Sequence, residues 1–227
     1  MKREIARHVL GDMTACYETD ESGKVGLLLC PTALAEKQRA DKSAAVDSLV
    51  QVKLAGDEYN GAFAPGQTMR EGGSVKQLRF REQKVLEDKE TNSLRIETRL
   101  ADERGCQALH RLLWNQGAPY VRMETVFENH SDAPVSLEML ASFSLQGISP
   151  WIERDCHNQI MVHRIRGRWS EEGRLESRTM EELQLETSWT REAVRCERFG
   201  SIGSMPVNKY FPFLALEDRE NHVFWGA

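Results

Sequence analysis

Between Val135 and Leu145, apolar side chains return at every second position: Val135, Leu137, Met139, Ala141, Phe143 and Leu145, with Ser136, Glu138, Ser142 and Ser144 between them. Only an extended strand with one buried face gathers such a series on one side, because side chains alternate across a strand and spiral around a helix. Val121, Met123, Thr125 and Phe127 repeat the pattern. The intervening Asn129–Pro134 stretch is rich in turn formers, so the two runs predict an antiparallel hairpin. Further strands are expected at Val50–Leu54, at Leu78 and Phe80, at Leu94–Leu100, at Ile160–Arg166, around Leu183 and Leu185, at Val194–Phe199 and at Tyr210–Glu217. Pro212 in the last of these predicts an edge strand or a bulge, since proline cannot donate to a ladder. Only Thr32–Val46, with alanines among charges, has a helical look, and a surface loop accounts for it equally well. No strand–helix–strand rhythm appears, which argues against a parallel α/β sheet. The expected fold is all-β, a large antiparallel sandwich, with residues 1–227 as a single domain.

Composition narrows the function. Lys and Arg number 30 against 35 Asp and Glu, a formal charge of -5. Neither sign forms a long block, which argues against nucleic acid as a partner, because phosphate binding needs a concentrated basic face. Arg164, Arg166 and Arg168 alternate and would share one strand face, read as a solvated sheet surface. The start of the chain is charged and has no signal-peptide core, and no run is long enough to span a bilayer. A cytoplasmic protein is expected, with no membrane partner. Five scattered cysteines without a CxxC pair fit reduced thiols rather than a metal ribbon. On this reading the Asn129-His130-Ser131 sequon is accidental.

Tests for chemistry give little. There is no GxSxG nucleophile turn and no phosphate-cradling glycine motif. His157 and His163 lie six positions apart with Cys156 beside them, too spread along a strand to meet at one ion, so no metal or other cofactor is expected. Two glycosidase carboxylates would have to stand about 5–5.5 Å apart for retention, and nothing marks such a pair. An epimerase would need a histidine acid and a carboxylate base. His110 and His163 are the candidates, although His110 alternates with Leu112 and Trp114 as a packed residue would. No catalytic residue is assigned.

Recognition falls instead to loops. Gly56–Gly73 is glycine-rich and carries Tyr59, Phe63, Thr68, Met69 and Arg70, a candidate surface facing substrate or partner. Gly200–Pro206 is a second loop of small residues. Trp151, between Pro150 and a charged turn, is expected to be partly exposed and could stack on a sugar ring, against a core role for tryptophan in a sandwich.

Several stretches in order resemble the N-terminal domain of glycoside hydrolase family thirty-six, the microbial α-galactosidases. They are Gly56-Asp57-Glu58-Tyr59, Gly66-Gln67-Thr68-Met69-Arg70, the run from His163 through Trp169 to Arg174, and Gly203-Ser204 followed by Tyr210–Leu216. The resemblance implies a β-supersandwich of the galactose-mutarotase-like kind, preceding a (β/α)8 barrel that holds both catalytic aspartates. Such a barrel needs roughly 250 further residues, so the chain is expected to be inactive alone. The full-length enzyme would be a retaining hydrolase of α-galactosides such as melibiose and raffinose. The resemblance further implies a homo-oligomer, a tetramer in the parent, whose Tyr59–Arg70 loop helps wall a sugar pocket. Two alternatives from other classes stand beside it: a free-standing carbohydrate-binding module, and an aldose epimerase-like enzyme.

Overall fold

The computed structural model describes residues 2–37, 46–58, 70–147, 149–152, 157–185, 196–199 and 209–227. It is an all-β, antiparallel sandwich protein. The described residues fall into two compact units, the first within Met1–Gly147 and the second within Ile148–Ala227.

The first unit opens with three strands that pair in sequence order: β1 (Arg3–Leu10), β2 (Met13–Thr19) and β3 (Val25–Pro31). Sequence reading did not single them out. Gly11 turns the first hairpin at φ 71, a left-handed conformation that glycine adopts without strain. Four longer strands form a second sheet in sequence order, β5 (Arg79–Asp88), β6 (Ser93–Ala101), β7 (Cys106–Asn115) and β8 (Arg122–Asn129). Between them in sequence come β4 (Val52–Leu54) and a short helix, α1 (Gly73–Gln77). The core contains Tyr17 and Leu27 from the first sheet, Leu49 and Val50 from the segment before β4, and Ile96, Leu100 and Leu112 from the second sheet. Alternation sorts the larger sheet: Ala108, His110 and Leu112 are fully buried, while Arg111 points outward between Glu97 (3.2 Å) and Glu124 (3.1 Å).

The expected hairpin does not form. The Val121–Phe127 and Val135–Leu145 runs do not pair with each other. β8 pairs with β7, and only Leu137–Leu140 of the second run is a strand, β9, which pairs with β4. The turn explains the diversion. Asn129 Oδ1 accepts from the Ser131 backbone N–H (3.0 Å) and hydroxyl, and the His130 N–H donates to Gly105 O (3.0 Å). Those bonds fasten the turn to the β6–β7 connection, and Pro134 brings no donor to a ladder. Beyond β9 the chain follows other partners, with Ala141 N–H on Gln51 O and Gln146 N–H on Leu27 O, both 2.9 Å. The same Asn129 amide donates to Ala133 O, so it is engaged in its own turn. Thr32–Leu34 forms a single 3-10 turn, and residues 38–45 lie outside the described residues.

The second unit is a four-stranded sheet built from β10 (Ile160–Arg166), β11 (Leu175–Thr179), β12 (Tyr210–Asp218) and β13 (Val223–Gly226), in the order β11-β10-β12-β13. β12 is central, so the edge alternative for Pro212 is corrected. The bulge alternative holds: Arg164 faces Leu214 but Arg166 faces Tyr210, and the irregularity contains the proline. Around Leu183 and Leu185 the chain turns instead of forming a strand, and the missed partner of β10 is Leu175–Thr179. Residues 196–199 are not a strand, while 194 and 195 lie outside the described residues. Among the described residues, no helix is long and apolar enough to cross a membrane.

Candidate functional site

Of the six residues expected to face substrate, Tyr59, Phe63, Thr68 and Met69 lie outside the described residues. Arg70 and Trp151 can be placed. Trp151 is 3% exposed, which corrects the expectation of partial exposure and leaves its ring no open face for a sugar.

Arg70 is the first described residue of the glycine-rich segment after Glu58. Its neighbour Glu71 is the anchor. Glu71 Oε1 accepts from the Ser48 backbone N–H (2.8 Å) and from Gln51 Nε2 (3.0 Å), and its Oε2 pairs with Lys24 Nζ at 2.9 Å. Its own backbone N–H donates to Gln51 Oε1 (2.8 Å). Burial alone would raise the carboxyl's pKa, but the Lys24, Ser48 and Gln51 bonds outweigh it and hold the group below the usual glutamate range. Glu71 adopts φ 54, a strained conformation for a side chain with a Cβ, kept in place by these four bonds.

The other end of the segment is tied by Asp57. Its Oδ2 accepts from the Leu54 N–H (2.9 Å), and its Oδ1 accepts from the backbone N–H (3.0 Å) and hydroxyl (2.7 Å) of Ser74. Gly73 N–H donates to Glu58 O (3.0 Å), closing the neck. β3 passes close beneath this region at Gly26, where a Cβ would collide with the Asp47 carbonyl and the Gln146 amide. Asp47 in turn stands 3.7 Å from Arg70 Nη2, with both side chains about half exposed. The result is a guanidinium and a carboxylate at the surface of a hydrogen-bonded polar base, a pair able to bind hydroxyls or a charged partner. Asp47, Gln51, Glu71 and Lys24 escaped sequence reading. Glu71 beside Gly72-Gly73 was the one local signal, and Lys24 stands 47 positions away.

In the second unit, Arg168 is exposed and Arg166 half-buried, but the first of the alternating arginines leaves the solvated face. Arg164 is 4% exposed, correcting that expectation. Its guanidinium lies over the Tyr210 ring (4.4 Å) and near Phe199 (5.5 Å), and it ion-pairs with Glu176 and Glu197. Arg166 pairs with Glu171 (3.1 Å) and Glu176, and Tyr210 donates its hydroxyl to Glu176 Oε1 (3.0 Å). Burial pushes the Glu176 carboxyl up, but hydrogen bonds from Arg166, Arg164 and Tyr210 win and hold it at about 2. Every charge here is answered within the cluster, so its role is to fix β10, β11 and β12 together.

His163, a candidate epimerase acid, contacts Ser177 Oγ through Nδ1 (2.9 Å) and Glu217 Oε2 through Nε2 (3.2 Å). An acid and a base that work on a sugar must flank it, and here they touch each other. Ser177 lies mid-strand, away from any sharp turn that would gather backbone N–H groups into an oxyanion hole. His110 is fully buried, and burial lowers its pKa to about 4. Among the described residues, no group of three His, Cys, Asp or Glu side chains could hold a metal ion. No disulfide forms among Cys16, Cys30, Cys106 and Cys196. Cys156 lies outside the described residues.

Among solved structures, the chain is similar to a variant of the GH36 α-galactosidase AgaA from Geobacillus stearothermophilus in complex with 1-deoxygalactonojirimycin. The TM-score is 0.54 at 14% identity, covering 96% of this chain and 32% of that chain. The likeness is one of fold, and this chain spans about a third of the enzyme's length. No protein-family model and no curated protein matches the sequence.

Proposed function

We propose that this chain is the non-catalytic N-terminal β-sandwich region, residues 1–227, of a retaining α-galactosidase, shaping the sugar pocket and the enzyme's homo-oligomer. The observation that carries this reading is the fold likeness, which extends over 96% of the chain yet only 32% of an α-galactosidase. The Arg70–Asp47 pair on its Glu71 anchor supports a role at the pocket wall. Arg70 would hydrogen-bond sugar hydroxyls or a partner carboxylate, with Tyr59 or Phe63 as a stacking face. The catalytic carboxylates would come from the parent's own barrel, in a cytoplasmic enzyme acting on substrates such as melibiose and raffinose.

Expressed alone, the chain should leave an aryl α-galactoside intact. Turnover that one carboxylate substitution in this chain abolishes would overturn the reading. In the full-length parent, Arg70→Ala should lower kcat/KM for raffinose. Calorimetry of the isolated chain with galactose and raffinose separates an assembly domain, which gives no heat, from a sugar-binding module. The epimerase reading is disfavoured by the direct His163–Glu217 contact, and polarimetry of α-galactose with His163→Ala tests it.

A further inference from the structure

One polar row crosses the inner face of the β5–β8 sheet. The register places Gln83 opposite Thr98, Thr98 opposite His110, and His110 opposite Thr125. The rows on either side are apolar, with Ile96 beside Leu112 and Leu100 beside Ala108, all buried. Part of the polar row is satisfied within the protein. Gln83 donates to Thr98 Oγ1 (2.9 Å) and meets His8 Nε2 through its carbonyl (3.1 Å), and Thr125 donates to Ser142 O (3.0 Å). Three atoms in the same core are not: both ring nitrogens of His110 and the hydroxyl of Tyr17. Tyr17 projects from the opposing sheet of this unit, with Thr98 as the polar neighbour of its hydroxyl.

Buried polar atoms are almost always satisfied, by protein or by ordered water. Here the missing chemistry can be specified. Burial keeps His110 neutral, and a neutral imidazole offers one N–H donor and one bare nitrogen acceptor. Tyr17 adds a hydroxyl that can both give and take. Water, with two donors and two acceptors, matches this set. The oxygens of Thr98 and Thr125 on the flanking strands keep lone pairs to complete its shell. A metal ion fits poorly, because the row supplies a single histidine and no carboxylate or thiol. We propose that the core of the first unit contains a built water site at the ring nitrogens of His110, shared with the Tyr17 hydroxyl. It makes this stretch of β7 a hydrated seam inside an otherwise apolar interior.

The proposal is independent of the enzyme reading and is tested on the whole chain. A crystal structure at about 1.2 Å resolution should show solvent density within hydrogen-bond distance of a His110 nitrogen. Nitrogens met only by protein atoms, or by nothing, would overturn the site. In solution, oxygen-17 relaxation dispersion counts long-lived internal water, and its amplitude should fall in His110→Leu relative to wild type. Equal amplitudes sink the proposal. Should that variant fail to fold, Tyr17→Phe removes a single hydroxyl, and the same fall or equality decides the matter.

Discussion

The two units bury polarity in opposite ways. In the first, a neutral histidine with neither ring nitrogen bonded to protein and a tyrosine hydroxyl beside Thr98 enter the core between rows of aliphatic side chains. In the second, the buried group is a full charge, Arg164, surrounded by Glu176, Glu197 and two aromatic rings. Burial alone therefore does not set the electrostatic character of a core. A lone titratable group is driven to its neutral form, whereas a cross-bonded one is held charged. The two regions should therefore fail at different pH and to different substitutions.

The largest effect is expected at Arg164. Its removal takes a guanidinium partner from both Glu197 and Glu176, leaving Glu176 only Arg166 and Tyr210, and takes a cation off the Tyr210 ring, so Arg164→Ala should cost about 3–5 kcal/mol, measured by urea unfolding. Arg164→Lys should recover only part of this, because one ammonium cannot reproduce the two separate nitrogens that reach Glu176 and Glu197. A loss below about 1 kcal/mol would show the cluster to be no stronger than a surface pair.

Acid sharpens the comparison. His110 has its folded pKa depressed from 6.5 to about 4. The unfolded chain therefore binds the proton first, and stability falls as pH drops from 6.5 toward 4 by about 3 kcal/mol. Above pH 6.5 the contribution is complete. Glu176, depressed from 4.5 to about 2, contributes fully above pH 4.5 and is lost only below it. Amide protection factors in β7, taken relative to the unstructured exchange rate at each pH, should thus fall between pH 6.5 and 4, and those in β10 only in stronger acid. A coincident fall in both strands would break the contrast, and His110→Leu should flatten the first window.

A smaller change is expected at Glu71. Glu71→Ala removes the acceptor for Ser48 and Gln51 and the partner of Lys24, and should cost about 1–3 kcal/mol by thermal unfolding. Glu71→Gly should cost less than Glu71→Ala, because glycine relieves the positive φ. Least of all, Arg111→Ala on the solvated outer face should change stability by about 0.2–1 kcal/mol. High salt should erase that difference and leave the Arg164 effect largely intact.

The all-β class, the buried face of β6, the packed alternation of His110 with Leu112 and Trp114, and a bulge as one of two alternatives at Pro212 could be read from spacing and composition, because alternation is a property of one strand and its own side chains. Pairing is not. The chain's most regular run yields only the short β9 beside β4, since a turn fastened to Gly105 and neighbours some 85 positions earlier in sequence decide where it lies. For the same reason, three arginines at alternate positions looked like surface. Only their neighbours, Glu176 from an unforeseen strand and Tyr210 across a bulge, turned one of them inward. Local spacing sets which side chains can share a face. What that face meets follows from the folded chain, because the partners that desolvate or neutralise a group come from distant parts of it.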